Sequence, residues 1–312
     1  MSGVGESVTV QVPGSTSNCG AGFDTLGLAL TIYNRVTLTL LGNGTNEPGR
    51  TGAAMVEPER ATDARGTDLV RSATAVFFRT TKIAPRGVRF RIEGDVPPAR
   101  GLGSSATILL GVLAGLDALH DTRWPRERLA ALGTEIEGNP ENICAGIFGG
   151  FTVSRCSPTP AEYCDTIRVP VSAELRFVVA SPALEMSTKE SRGVLPATLP
   201  FADAARSVNS ASFLAAAFVT GDFEKLRVAG GDFLHEPYRL PRIPGAREAI
   251  EGGISSGALI GWLSGSGSSV VCVARVATAK AVATAMEAAF SGAGVVCRVR
   301  VLVADNDGIR LM

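Results

Sequence analysis

An α+β protein of two packed lobes is predicted, on three observations. A charged, alternating segment, Val88-Arg89-Phe90-Arg91-Ile92-Glu93, precedes a glycine turn, Gly101-Leu102-Gly103-Ser104-Ser105. An uncharged run from Ile108 to Leu119, broken only by Asp117, follows it. That order reads strand, turn, buried helix. Near the end, Val270 to Val276, Thr278 to Phe290 and Val295 to Val303 read strand, helix, strand, a split βαβ element. The 312 residues, 45% of them hydrophobic, suffice for more than one core.

Taken in order, Ser7 to Pro13 alternates and reads as an opening strand, with a loop of small polar residues from Gly14 to Asp24. Gly27 to Ile32 and Arg35 to Leu40 read as further strand, Asn43 to Arg65 as an irregular excursion, and Leu69 to Phe78 as helix. The helix behind the glycine turn runs to about His120, and Pro125 opens another that ends near Glu137. Glu135-Ile136-Glu137-Gly138-Asn139-Pro140-Glu141-Asn142 then gathers three carboxylates and two amides; the plain reading is a solvated helix end and an Asx turn. Strands follow at Phe148 to Val153, Thr166 to Val171 and Leu175 to Ala180, where a second lobe begins. Helices are expected at Phe201 to Val219, Leu226 to Phe233 and Ile243 to Glu251.

Composition narrows the function. Thirty basic residues balance thirty acidic ones, so no charged face for nucleic acid is expected. The six cysteines form no CxxC pair, and several lie in apolar runs, which favours buried free thiols in a reducing compartment. The N-terminus has neither the basic nor the apolar region of a signal peptide. The most apolar stretch, Ile254 to Ala274, is too rich in Gly and Ser for a membrane span. A cytoplasmic protein without a membrane partner is expected.

The chemistry-bearing residues are few. Gly101 and Gly103 free the backbone to lie against a ligand, and Ser104 and Ser105 fall at a helix start, where unpaired N–H groups favour phosphate. No Gly-Lys-Ser/Thr follows, so this is not a Walker A loop. Ser264 to Ser269 is a second glycine-serine turn. Asn18 and Asp24 either brace their own turn or orient a ligand; Phe23 and Leu26 partly enclose Asp24, which then needs a partner. The carboxylates near Glu137 suit Mg²⁺ beside a phosphate, and Arg192 and Arg239 suit a carboxylate or phosphate. His235, beside Glu236-Pro237, reads as a structural hydrogen-bond donor. Without a Ser-His-Asp or Cys-His arrangement, the set points to phosphoryl transfer onto a small polar acceptor.

Pro97 to Ala106 resembles the nucleotide-binding signature of the galactokinase, homoserine kinase, mevalonate kinase and phosphomevalonate kinase (GHMP) superfamily. Val12 to Gly27, with Thr16-Ser17-Asn18-Cys19-Gly20-Ala21-Gly22-Phe23-Asp24, is similar to the first motif of homoserine kinases. Thr188 with Arg192, and then His235-Glu236-Pro237-Tyr238-Arg239, match further motifs of that family; Leu263 to Gly267 resembles the superfamily's third motif. The resemblance implies a two-lobed α+β GHMP kinase fold. Its N-terminal lobe would be ribosomal-protein-S5-like and bind ATP (1–165), and its C-terminal lobe ferredoxin-like (166–312), in a homodimer. The implied reaction is transfer of the ATP γ-phosphate to the side-chain hydroxyl of L-homoserine, on the way to threonine. By the same resemblance, Asn18, Asp24, Asn142, Arg192 and Arg239 would bind the acceptor, with Asp24, Thr188 and Arg192 nearest the chemistry. Pro97, Arg100, Gly101, Leu102, Gly103, Ser104, Ser105 and Ala106, with Gly265 and Gly267, would bind ATP. Ser104 or Ser105 and Glu137 would hold Mg²⁺, with Glu135 as a competing alignment.

Two motifs depart from the pattern. Many relatives carry His-Pro-Asp-Asn where this chain has Asn139-Pro140-Glu141-Asn142, and Pro where Ser268 follows Gly267. The first bears on the acceptor, so a related kinase for another hydroxyl is an alternative; a metabolite-binding homologue without catalysis is a second.

Overall fold

The computed structural model describes residues 6–41, 54–158 and 161–312. Residues 43–53 of the 43–65 excursion lie outside them. Its remainder holds strand β3 (Val56–Pro58) and a 3-10 turn, Ala61–Gly66.

The first sheet is built on two long strands, β1 (Ser7–Ser17) and β2 (Leu26–Leu40), paired antiparallel from Ser7↔Thr39 to Ser17↔Gly27. Two corrections to the sequence reading follow. The segment from Gly14 to Ser17 is strand, because the register shifts between Pro13 and Gly14 and the pairing then continues. The two strands read at 27–32 and 35–40 are one. The far edge of β2 is shared: β4 (Val88–Gly94) takes 34–40, and β5 (Phe151–Pro158) takes 26–28. β6 (Ala161–Val169) continues from β5, and the chain's last strand, β11 (Arg310–Leu311), returns to β1.

Helix α1 is Thr67–Thr81, α2 is Ser104–Leu119, α3 is Arg126–Glu137 and α4 is Glu141–Phe148. The uncharged run of α2 is explained by its surroundings: Leu109, Leu110, Val112, Leu113 and Leu116 are wholly buried in one cluster with Val10, Val12, Val36 and Leu38. A helix covered on nearly all sides has no place for charge. Full burial of each such side chain contributes about 1.5–3 kcal/mol.

The second sheet comprises β7 (Leu175–Pro182), β8 (Ile260–Leu263), β9 (Val270–Arg275) and β10 (Cys297–Leu302). Its order is β10-β7-β9-β8 with every neighbour antiparallel, the ferredoxin-like arrangement. α5 (Thr188–Gly193), α6 (Phe201–Thr220) and α7 (Glu236–Arg239) lie between β7 and β8, followed by α8 (Ala246–Ser255); α9 (Ala279–Gly292) links β9 to β10. The helix expected at 226–233 does not form. A 3-10 turn, Phe223–Val228, stops before Gly230-Gly231, and irregular chain runs on to His235. A second core cluster joins the two sheets, with Leu28 and Leu30 from β2, Phe151 from β5, Phe177 and Val179 from β7, and Trp262 from β8. That shared core fixes the cleft between the lobes.

Candidate active site

The glycine turn lies at the junction of the two lobes. Carbonyls at four consecutive positions are tied into the protein. Ala99 O accepts from Met186 N (2.8 Å), Arg100 O from Ser269 N (3.2 Å), Gly101 O from Ser264 Oγ (2.6 Å) and Leu102 O from Ser15 N (3.1 Å). With its acceptors turned inward, the turn presents its donors. Helix α2 then begins at Ser104 behind Gly103, which has φ +69° and no side chain to cap the helix, and the first turn holds no acid. The leading N–H groups of a helix have no intrahelical partner, so this start is suited to an anion. Ser104 is half-buried and Ser105 exposed. Ala106 is buried in the core, so only its backbone can serve a ligand. The Ser264–Ser269 turn packs on the first turn so closely that a Cβ on Gly101 would stand 2.0 Å from Ser264 O.

One hydrogen-bond chain leads from this turn to a second pocket. A Cβ on Gly103 would meet Ser15 Oγ at 2.3 Å. That hydroxyl donates to Asn142 Oδ1 (2.8 Å), and Asn142 Nδ2 donates to Ser17 Oγ (3.0 Å) and Glu141 Oε1 (3.1 Å). The pocket is lined by Asn18, Asp24, Glu137, Asn142, Thr188, Arg192, Arg239 and Gly265, among others, and holds about 40 Å³. It is small because Asp24 and Arg192 close on each other, with two hydrogen bonds of 2.7 and 3.0 Å. Asp24 reaches Arg192 from a left-handed turn, φ +54°. Asn18 Oδ1 braces that turn by accepting from Asp24 N (3.1 Å), while its Nδ2 donates to Gly265 O (3.2 Å). Asn18 thus braces the turn and also lines the pocket.

Arg239 is almost wholly buried. Its Nε donates to Ser191 O (3.0 Å) and its Nη1 to Gly265 O (3.2 Å). Burial, and then Arg192, pull its pKa down to about 10, which leaves it cationic at neutral pH. His235 donates from Nε2 to Gly20 O (2.9 Å), which turns Nδ1 toward Arg239 Nη1 (3.5 Å). Burial lowers its pKa, and the neutral ring is a brace, in line with its structural reading.

Glu141 was not singled out as a site residue, and it is buried. Burial and the neighbouring Asp24 push its carboxyl up to about 8. With the Asn139 amide oriented nitrogen toward Glu141 and oxygen toward Arg192, Asn139 links them at 3.0 and 3.1 Å. The two residues that depart from His-Pro-Asp-Asn thus contact each other. Glu137 faces the pocket, with burial raising its pKa against the pull of Arg192. Glu135 points elsewhere and pairs with Arg79. Among the described residues no three His, Cys, Asp or Glu side chains gather as a metal site. A cation here would have Glu137 and a serine hydroxyl from the protein and its remaining ligands from phosphate, which suits Mg²⁺.

A larger groove of about 590 Å³ lies beyond Asp24 and Asn139, against β5 and β6. It borders neither the glycine turn nor the two arginines, which lie on the side of the smaller pocket. Pro97 lies in the approach to the turn, outside both.

Glu236 supports the site from behind, accepting from Leu263 N (2.6 Å), and burial pushes its carboxyl up to about 8. The folded state therefore holds a proton that the unfolded chain releases near its ordinary value, and stability declines as pH rises between the two. Glu236→Gln is expected to melt above the wild type by a margin that widens from about pH 5 to about pH 8.5. Thermal melts across that range check it; a constant margin contradicts it.

Comparison with known proteins agrees with this geometry. The family model "GHMP kinases N terminal domain" matches residues 68–150, and "GHMP kinases C terminal" matches 214–292. The homoserine kinase of Trichormus variabilis is 38% identical over 303 residues, 97% of this chain and 98% of the relative. That of Carboxydothermus hydrogenoformans is 36% identical over 289 residues, 92% and 91% of the two chains. The crystal structure of homoserine kinase from Cytophaga hutchinsonii superposes with a TM-score of 0.84 at 24% identity, covering 98% of this chain and 97% of that one. The mevalonate diphosphate decarboxylase of Enterococcus faecalis shares the fold at a TM-score of 0.68 and 17% identity, covering 98% of each chain. A glycine turn that presents donors, joined through Asn142 to a pocket with two arginines, is thus found in a chain that belongs to the homoserine kinase family of the GHMP kinases.

Proposed function

We propose that this protein transfers the γ-phosphate of ATP to the side-chain hydroxyl of L-homoserine, giving O-phospho-L-homoserine for threonine synthesis. The observation that carries this reading is the short connection Gly103–Ser15–Asn142, which sets an anion-suited helix start beside a pocket lined by three carboxyl side chains, Asp24, Glu137 and Glu141, and two guanidiniums, Arg192 and Arg239. An α-amino acid is a carboxylate and an ammonium on one carbon. Arg192 and Arg239 suit the first and Asp24 the second, so the acceptor takes over the Asp24–Arg192 pair as it enters.

Gly101 to Ser105 hold the phosphates by backbone N–H, with Pro97, Arg100 and Ala106 completing the loop and Gly265 and Gly267 closing it from the other lobe. Asn142 and Thr188 direct the acceptor hydroxyl, and Asn18 keeps Asp24 in place. Glu137 with Ser104 or Ser105 would hold Mg²⁺, which supplies charge neutralisation on the phosphates when bound. Among the described residues no neutral-pH base stands out: His235, buried beside the pocket, is spent on Gly20, and burial with the neighbouring Asp24 favours the protonated form of Glu141. The hydroxyl proton then leaves late, to the transferring phosphoryl, and rate comes from positioning and electrostatics.

The proposal divides the chain into an ATP-binding lobe (1–165) and a ferredoxin-like lobe (166–312), with the end of β6 and the closing strand β11 returned to the first sheet, working as a cytoplasmic homodimer. Six free cysteines suit a reducing compartment, and no described helix is long and apolar enough to cross a membrane. To test the activity, purified protein is incubated with Mg-ATP and L-homoserine, L-serine, L-threonine, mevalonate or sugars, and ADP is followed. ADP release that depends on L-homoserine is expected; turnover only with another acceptor, or with none, contradicts it.

A further inference from the structure

Phe23 is half-buried, and both acceptor-side guanidiniums lie over its ring. Arg192 Cζ is 5.4 Å and Arg239 Cζ 5.3 Å from the ring centroid, and the His235 ring stands 5.3 Å away. Asp24, the next residue, binds Arg192 along its N–H edge. Two consecutive side chains thus hold one guanidinium, one by its face and one by its edge.

The arrangement answers a physical problem. Two cations beside one small pocket repel, and Arg192 is one of the groups that pull down the Arg239 pKa. Asp24 relieves part of the repulsion, but it does so by occupying Arg192 N–H donors that an incoming carboxylate needs. An aromatic ring attracts both cations through its electron-rich face and accepts none of their edge hydrogen bonds. Backbone carbonyls of Ser191 and Gly265 meanwhile hold Arg239 by Nε and Nη1.

We propose that Phe23 is a positioning residue for the acceptor: its ring holds Arg192 and Arg239 as a pair at the pocket without taking any of their N–H donors, so that both can turn to an α-carboxylate once the acceptor's ammonium draws Asp24 from Arg192. The inference rests on the amino-acid acceptor proposed above.

Steady-state kinetics of Phe23→Leu and Phe23→Tyr, with ATP and L-homoserine both varied, test it. Loss of the ring is expected to raise the L-homoserine KM of Phe23→Leu about tenfold, with the ATP KM and kcat within about twofold of wild type. Phe23→Tyr, which keeps the ring, restores the homoserine KM. If Phe23→Leu melts early, Phe23→Met, which keeps bulk without a ring, replaces it in the comparison. A homoserine KM unchanged in the ring-less variant, an equal rise in the ATP KM, or a Phe23→Tyr variant as impaired as Phe23→Leu overturns the inference. Wild-type protein without homoserine-dependent ADP release overturns the acceptor reading and this inference with it; active wild type with an unaffected Phe23→Leu overturns this inference alone.

Discussion

Arg239→Ala is expected to raise the L-homoserine KM by about a hundredfold or more while the ATP KM stays within about threefold of wild type. The reason is placement. Arg239 is 2% exposed, and its guanidinium spans Ser191 O and Gly265 O beside the pocket. Removing it takes away a carboxylate partner and the donor to Ser191 O, a loss of about 1–3 kcal/mol, while Gly265 O keeps the Asn18 amide. Ser191 lies outside both glycine turns and Asn18 still holds Gly265 O, so the nucleotide dependence is largely spared. Arg239→Lys keeps the charge without the planar fork and is expected to fall between wild type and the alanine variant. Steady-state kinetics with both substrates varied decide the matter; an unchanged homoserine dependence contradicts the assignment.

Gly101→Ala is expected to damage the other half of the site, raising the ATP KM by about a hundredfold and lowering the melting temperature by several degrees. Gly101 has φ +72°, where a side chain costs about 1–2 kcal/mol. The added Cβ would also stand 2.0 Å from Ser264 O and 2.9 Å from Gly267 N, both backbone atoms that cannot swing aside. The two turns would have to part, and the lobes carry one each. Gly221→Ala provides the control. Its φ is +71°, it lies at the C-terminus of α6, and nothing stands within 4 Å of its Cβ. It incurs the conformational cost alone, so its melting temperature falls less and its ATP KM does not move. Equal effects in the two variants would remove the close approach from the explanation.

Much of the fold was legible because its signals are local. The uncharged run of α2 and the glycines ahead of it mark a buried helix with an open start, and Pro125 marks the beginning of α3. The polar end of β1 was not legible. Ser15, Thr16 and Ser17 read as loop, but Asn142 binds the first and third, and Trp262 Nε1 donates to Thr16 Oγ1 (3.0 Å). Those partners lie more than a hundred residues away, beyond any local pattern. The same holds for Asp24 and Arg192, which meet across 168 positions. Glu141 misled for a different reason. Carboxylates in a polar stretch are usually solvated, whereas α4 turns this one inward, where Asn139 and Asn142 supply its hydrogen bonds. Resemblance to homoserine kinases named Asn18, Asp24, Arg192 and Arg239; it did not name Phe23, which carries no polar group and reads from sequence only as an apolar neighbour.

The most direct measurement is a crystal structure with a non-hydrolysable ATP analogue, Mg²⁺ and L-homoserine bound together. The predicted result places the phosphates on the N–H groups of Gly101 to Ser105, with the homoserine carboxylate on Arg192 and Arg239 and its ammonium on Asp24. A triphosphate bound elsewhere, with the glycine turn filled by the protein's own side chains, would contradict the account.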